Sequence, residues 1–285
     1  MRVPFRLVDV FTPRPLAGNQ LCVVPESVGL EAETMRALAG EIGFSETTFV
    51  SEAGGDRYAM RIFTPGQELP FAGHPTLGTA FVLVSEGLIT SPAIQVVAAG
   101  EFPVEVDLDA GTAWMTQLPA VLGEPFADRD LLARAAGLEP TDLHPDLPSR
   151  VVNAGLRHLI VPVRDLEALR SADRQGPLVG EVCRLSGGEA MYLFAVTDEG
   201  ATARMFDREL GVGEDPATGS AAGPLGAYLA EHGLAGMPHR RVLIRQGEQV
   251  GRPSELHVEV SREAGAWRPR VGGGVHVVGS GEFVL

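Results

Sequence analysis

Two short segments of this chain are apolar on nearly every face, and each follows a Gly/Pro-rich motif. That pair of features leaves few folds open. The segments are residues 77–85 and 221–230, closed by Gly87 and Gly233, which suit helix C-caps. A helix without a polar face has to be surrounded by protein. The motifs are Gly73-His74-Pro75-Thr76-Leu77-Gly78-Thr79-Ala80 and Glu214-Asp215-Pro216-Ala217-Thr218-Gly219-Ser220-Ala221, which superpose without gaps at an offset of 141. Arg61-Ile62-Phe63 matches Arg204-Met205-Phe206 at an offset of 143, and Gly18 with Cys22-Val23-Val24-Pro25 matches Gly155 with Leu159-Ile160-Val161-Pro162 at 137. Three matches in the same order, all near half of 285 residues, predict two similar halves.

The local patterns fill in the halves. β-rich runs bounded by Gly, Pro and Asp fall at 5–11, 21–24, 58–63, 94–98 and 104–108, then at 150–152, 158–163, 191–196, 201–206, 242–246 and 256–260. Residues 30–42 read as an amphipathic helix, with Leu30, Met35, Leu38, Ala39 and Ile42 on one stripe. The expected architecture is α+β: two pseudo-symmetric domains, each an antiparallel, barrel-like sheet wrapped around a central buried helix. Loop-rich stretches at 119–125 and 140–148 put the boundary near 115–120, giving domains 1–117 and 118–270.

Composition narrows the function. A net charge of −14 argues against nucleic acid, whose phosphates need clustered Lys and Arg. No run approaches a membrane span, and the start of the chain lacks a signal-peptide core, so the expectation is a cytoplasmic protein. Cys22 and Cys183 form no metal pair and read as buried free thiols. The histidines outside the motifs, His144, His158, His232, His239, His257 and His276, lack metal-ligand spacing, and Gly272-Gly273-Gly274 lacks the context of a phosphate loop.

Both motifs stand where a strand turns into the N-terminus of a buried helix. Unpaired N–H groups and partial positive charge at such ends bind anions. Two of them, facing one small substrate, would let an acidic protein hold a carboxylate. The plainer reading makes them ordinary helix starts capped by Thr76, Asp215 or Ser220. The third candidate is Glu46, at the start of a β-rich run directly after a helix. A partly desolvated carboxylate there has a raised pKa and suits general acid/base work, whereas a solvated turn Glu does not.

These residues carry a resemblance. Val8-Asp9-Val10-Phe11-Thr12 with Gly18-Asn19, Ser45-Glu46-Thr47-Thr48-Phe49-Val50, Arg61–Pro65 with Glu68–Gly78, and Glu214–Ala221 resemble the phenazine-biosynthesis PhzF-like isomerase family. That family shares its fold with diaminopimelate epimerase and proline racemase. The resemblance implies an active site between two domains, a final segment at 271–285 that completes the first domain, a homodimer, and no metal or organic cofactor. It also implies a proton shift on a small carboxylate such as trans-2,3-dihydro-3-hydroxyanthranilate. Glu46 would shuttle the proton, His74, Asp215 and Ser220 would flank the substrate, Gly73 and Gly219 would donate to its carboxylate, and Asn19 would lie beside it. Gln20 and Asp207-Arg208 depart from the family pattern, the latter pair bordering the cleft wall.

Three other readings compete. A racemase or epimerase needs two opposed acid/base groups: the cysteines lie outside both motifs, but Glu189 follows Glu46 by 143 residues, the repeat's own offset. A Ser220–His74–Asp215 hydrolase triad lacks the Gly-x-Ser-x-Gly elbow. A non-enzymatic small-carboxylate binder would need the helix ends but not the base.

Overall fold

The computed structural model describes residues 1–208, 213–235 and 241–285. His239 lies outside them. The chain runs β1 (Arg2–Val10), β2 (Asn19–Val24), α1 (Ala32–Ile42), β3 (Glu46–Gly54), β4 (Arg57–Phe63), β5 (Glu68–Leu69), α2 (Gly73–Ser85), β6 (Ala93–Val97), β7 (Gly100–Asp107) and β8 (Thr112–Thr116). It continues with β9 (Val121–Pro125), α3 (Arg129–Ala135), β10 (Arg150–Asn153), β11 (Arg157–Pro162), α4 (Leu166–Ser171), α5 (Gly176–Ser186), β12 (Ala190–Thr197), β13 (Gly200–Asp207) and β14 (Glu214–Asp215). Last come α6 (Gly219–Glu231), β15 (Arg241–Gln246), β16 (Ser254–Glu263) and the long β17 (Ala266–Val284). Two compact units emerge, one of Met1–Thr116 with Gly272–Leu285, the other Gln117–Val271.

In the first unit the strands close a ring: β1–β2, β2–β3, β3–β4, β4–β6, β6–β7, β7–β8, β8–β17 and β17–β1. The β2–β3 and β4–β6 pairs are parallel. A parallel pair needs a crossover, usually helical, and the two crossovers take opposite sides of the barrel. α1 lies outside, its Met35, Leu38 and Ala39 packed with Val24, Phe49 and Phe63. α2 lies inside, buried from Gly73 to Ala80 and again at Val82 and Leu83. The period-2 alternation of a strand sorts the residues between them. Val24 and Phe49 face α1, whereas Leu21 and Thr48 face α2: Thr48 Oγ1 lies 2.8 Å from Thr79 Oγ1, and Leu21 packs on Gly78.

The second unit pairs β9–β10, β10–β11, β11–β12, β12–β13, β13–β15 and β15–β16, with β11–β12 and β13–β15 parallel. β16 turns into β17, which bridges Ala120 beside β9 at Trp267. Here α3, α4 and α5 cover the outer face through Leu159, Val161, Met191, Leu193 and Phe206. α6 is the enclosed helix, buried from Gly219 to Leu229, with Phe194 against Tyr228. The all-round apolar segments are thus the two enclosed helices, starting earlier than their apolar residues suggest. Their C-caps are Glu86 and His232, followed by Gly87 and Gly233 at φ 71° and 69°. The 30–42 helix begins at Ala32 and ends on Gly43 in the left-handed region.

The gapless motif alignment is displaced. α2 starts at Gly73 and α6 at Gly219, each thirteen residues long, so the helices align at 146, not 141. Strand pairing agrees: Phe63 pairs with Glu68 as Phe206 pairs with Glu214. His74 therefore stands at the helix position of Ser220, and Asp215 matches Leu69.

Candidate active site

Strand and helix geometry bring Glu46 and His74 together. Glu46 pairs with Leu21 on β2 and lies two residues before Thr48, so its side chain takes the α2 face of β3. Two strand residues span about 6.6 Å, close to the roughly 7.5 Å that separates five helical residues. The Thr48–Thr79 contact therefore places Glu46 beside the residue five before Thr79, which is His74. His74 Nε2 lies 3.5 Å from Glu46 Oε2, the side chains 5% and 17% exposed. Asn19 starts β2, is buried, and accepts from Ser45 Oγ at 3.4 Å. Gly18 before it holds φ 72°, and a Cβ there would sit 2.3 Å from the Val10 carbonyl, so the turn into Asn19 requires glycine.

His74 occupies the second position of α2. The helix has Ala72 at its N-cap and no side-chain cap, and Thr76 Oγ1 instead donates to the Ala72 carbonyl. The first-turn amides of Gly73 and His74 have no intrahelical acceptor. In the second unit, Gly219 and Ser220 open α6, again without a side-chain cap. Thr218 sits at its N-cap, but its hydroxyl donates to Asp215 Oδ2 at 2.6 Å. Thr76 and Thr218 thus use their hydroxyls as donors, to the Ala72 carbonyl and to Asp215, rather than as caps for first-turn amides.

A buried amide fixes this second turn. Gln246 Nε2 donates to the Asp215 carbonyl and to Thr218 Oγ1, while its Oε1 accepts from Thr218 N–H and the Tyr192 hydroxyl. Ser220 Oγ lies 3.1 Å from Nε2 of His158. Burial alone pushes His158 down to about 4, so it is neutral. Sequence reasoning missed His158, Gln246 and Tyr192. His158 was within reach, because the 137-residue offset places it opposite Leu21, which lines α2.

Glu189 is drawn elsewhere. It precedes Ala190, which pairs with His158; by strand alternation it turns away from α6, and it ion-pairs with Arg157 at 3.3 Å and Arg208 at 3.2 Å. Of the other departures, Gln20 pairs with Asp9 on β1, and Asp207 pairs with Ala190 while its carbonyl accepts from Arg174. Cys22 and Cys183 are free and buried, each thiol pushed up to about 12 by desolvation. Among the described residues no group of three or more His, Cys, Asp or Glu is placed to hold a metal ion, and no helix is long and apolar enough to cross a membrane.

Residues 8–281 match the family of phenazine biosynthesis-like proteins. The chain belongs to that family. A trans-2,3-dihydro-3-hydroxyanthranilate isomerase from Pseudomonas aeruginosa is 35% identical over 255 residues, 88% of each chain. The crystal structure of a PhzF-family phenazine biosynthesis protein from Bacillus anthracis superposes with a TM-score of 0.90 at 25% identity, covering 100% of both chains. A hydroxyproline epimerase from Agrobacterium vitis, 14% identical, shares the fold at a TM-score of 0.66, covering 99% of this chain and 92% of its own. Like its named relatives, this phenazine biosynthesis-like protein is an isomerase.

Proposed function

We propose that the chain catalyses a cofactor-independent proton shift on a small conjugated carboxylate, with Glu46 as the shuttling acid/base. The observation that carries this reading is the desolvated Glu46–His74 pair at an uncapped, buried helix end. The relative named trans-2,3-dihydro-3-hydroxyanthranilate isomerase supports that compound as the substrate to try first.

In the proposed step Glu46 takes a proton from an acidic C–H, and the electron pair of that bond delocalises through the conjugated system. The same carboxyl group returns the proton to another carbon on the same face, and the resulting enol becomes a ketone. No atom is gained or lost. His74 and Asp215 hold the amino and hydroxyl groups, and Asn19 lies beside the substrate. Gly73 and Gly219 amides with the Ser220 hydroxyl bind the carboxylate and oppose the charge that builds up during proton removal.

The same strand pairing supports reading the chain as a duplication with two pseudo-symmetric domains, 1–117 with 271–285 and 118–270. Leu21 pairs with Glu46 and Thr47 with Phe63; in the second unit His158 pairs with Ala190 and Met191 with Phe206. The counterpart of Glu46 is therefore Ala190. One carboxylate favours a proton shift over a two-carboxylate racemase, and the buried, protonated thiols speak against a thiol pair. A pure binding protein has no use for Glu46 against His74. A cytoplasmic homodimer completes the proposal.

Incubation with trans-2,3-dihydro-3-hydroxyanthranilate in deuterium oxide, followed by NMR and mass spectrometry, tests it. Product carrying solvent deuterium, lost in Glu46→Gln, is expected. Exchange undiminished in Glu46→Gln sinks the assignment of the base. Inversion of a stereocentre without bond migration makes the chain an epimerase.

A further inference from the structure

We propose that His158 is a positioning residue: its Nε2–H donates to Ser220 Oγ and so turns the Ser220 hydroxyl proton toward the bound carboxylate. This rests on the reading that Ser220 touches substrate.

The argument begins from satisfaction of polar atoms. His158 is 3% exposed, on the α6 face of β11, with Nε2 3.1 Å from Ser220 Oγ and Nδ1 without a partner among the described residues. The ring is neutral and carries one proton. A proton on Nδ1 would leave a buried N–H unpaired, an arrangement proteins rarely tolerate, whereas a bare Nδ1 lone pair is the lesser loss. The proton therefore sits on Nε2, and Ser220 Oγ is its acceptor.

That choice decides what Ser220 can do. Its hydroxyl cannot donate to an Nε2 already bearing hydrogen, and His158 is its sole recorded partner among the described residues. The O–H is left to rotate toward the N-terminus of α6, where the Gly219 amide also lacks an intrahelical acceptor. His158 thus turns an ambivalent hydroxyl into a fixed donor for an anion, without placing a charge at the site. In the first unit Glu46 addresses the second residue of α2; in the second, His158 addresses the second residue of α6. One moves a proton and the other sets a donor.

The test uses the full chain with trans-2,3-dihydro-3-hydroxyanthranilate as probe. Nitrogen-15 NMR of the histidine-labelled protein should show the Nε2–H tautomer for the resonance lost in His158→Leu. Removing one hydrogen bond to a charged group should raise KM about tenfold in Ser220→Ala, with kcat little changed. His158→Leu should do the same, and the double variant should be no worse than either single one. His158→Gln, whose amide nitrogen reaches the Nε2 position, should restore KM to within about twofold of the native value, which a purely space-filling role does not predict. An Nδ1–H tautomer overturns the proposal, the resonance being assigned by its loss in His158→Gln should His158→Leu fail to fold. A raised KM in Ser220→Ala beside a native KM in folded His158→Leu overturns it while leaving Ser220 in the site. A native KM in Ser220→Ala removes Ser220 from the site, and the proposal with it.

Discussion

Glu46 Oε2 stands 3.5 Å from Nε2 of His74, both side chains withdrawn from solvent at the opening turn of a helix enclosed by its own barrel. If Glu46 moves the proton, Glu46→Gln keeps the shape of the site and removes the base. We expect kcat to fall by about 10²–10⁴ while the thermal midpoint holds steady. His74→Gln, which keeps a donor but alters its reach, should lose less, on the order of tenfold. Stopped product assays beside thermal melts separate the two effects.

Stability should depend on pH through His158. Its folded value of about 4 lies below the 6.5 of an unfolded histidine, because burial disfavours the charged ring. The unfolded chain therefore binds more protons between those limits. The contribution is complete above pH 6.5 and is lost as pH falls toward 4, amounting to about 3 kcal/mol. His232 shifts in the same direction, again chiefly by desolvation. Urea titrations from pH 7 to 4 should show a slope smaller by nearly one proton in His158→Gln. An unchanged slope would mean that the imidazole protonates in the folded state at its ordinary value.

The same ion pair recurs in the two units with different worth. Arg61–Glu68 is bidentate but about two-fifths exposed, while Arg204–Glu214 is bidentate with side chains 8% and 13% exposed. Arg204 also donates to the Leu169 and Ala172 carbonyls. Arg61→Met should cost at most about 1 kcal/mol. Arg204→Met strands Glu214 and two carbonyls, and should cost about 3–5 kcal/mol. Denaturant midpoints of the two variants measure the contrast directly.

What could be read from the residues divides along physical lines. The enclosed helices announced themselves through composition, since nothing else makes residues 77–85 apolar all round. Gly43, Gly87 and Gly233 marked helix ends because positive φ is local chemistry. The register was harder: Pro75 and Pro216 invited an alignment five residues out, and only the pairing of Glu68 with Phe63 and Glu214 with Phe206 reveals the slip. Glu189 fell to the same cause, because one residue of register sends a side chain to the opposite face of a sheet. Gln246 was illegible, since its four hydrogen bonds join residues up to 54 positions away.

Two glycines of β17 should respond oppositely to the same substitution. A Cβ on Gly274 would lie 2.1 Å from the carbonyl oxygen of Thr12, whose own N–H donates to the Gly274 carbonyl. Backbone cannot yield there as a side chain would, so the strand and the segment leading to Asn19 must separate. On Gly279 the nearest atom would be a Leu7 side-chain carbon at 3.5 Å, an ordinary contact. Gly274→Ala should therefore cost about 1–3 kcal/mol, as overpacking does. Gly279→Ala should be neutral, or stabilising by up to about 1 kcal/mol through the entropy it removes from the unfolded chain. Urea midpoints decide the contrast, and equal losses at both positions would show that β17 senses added bulk generally rather than at the Thr12 carbonyl.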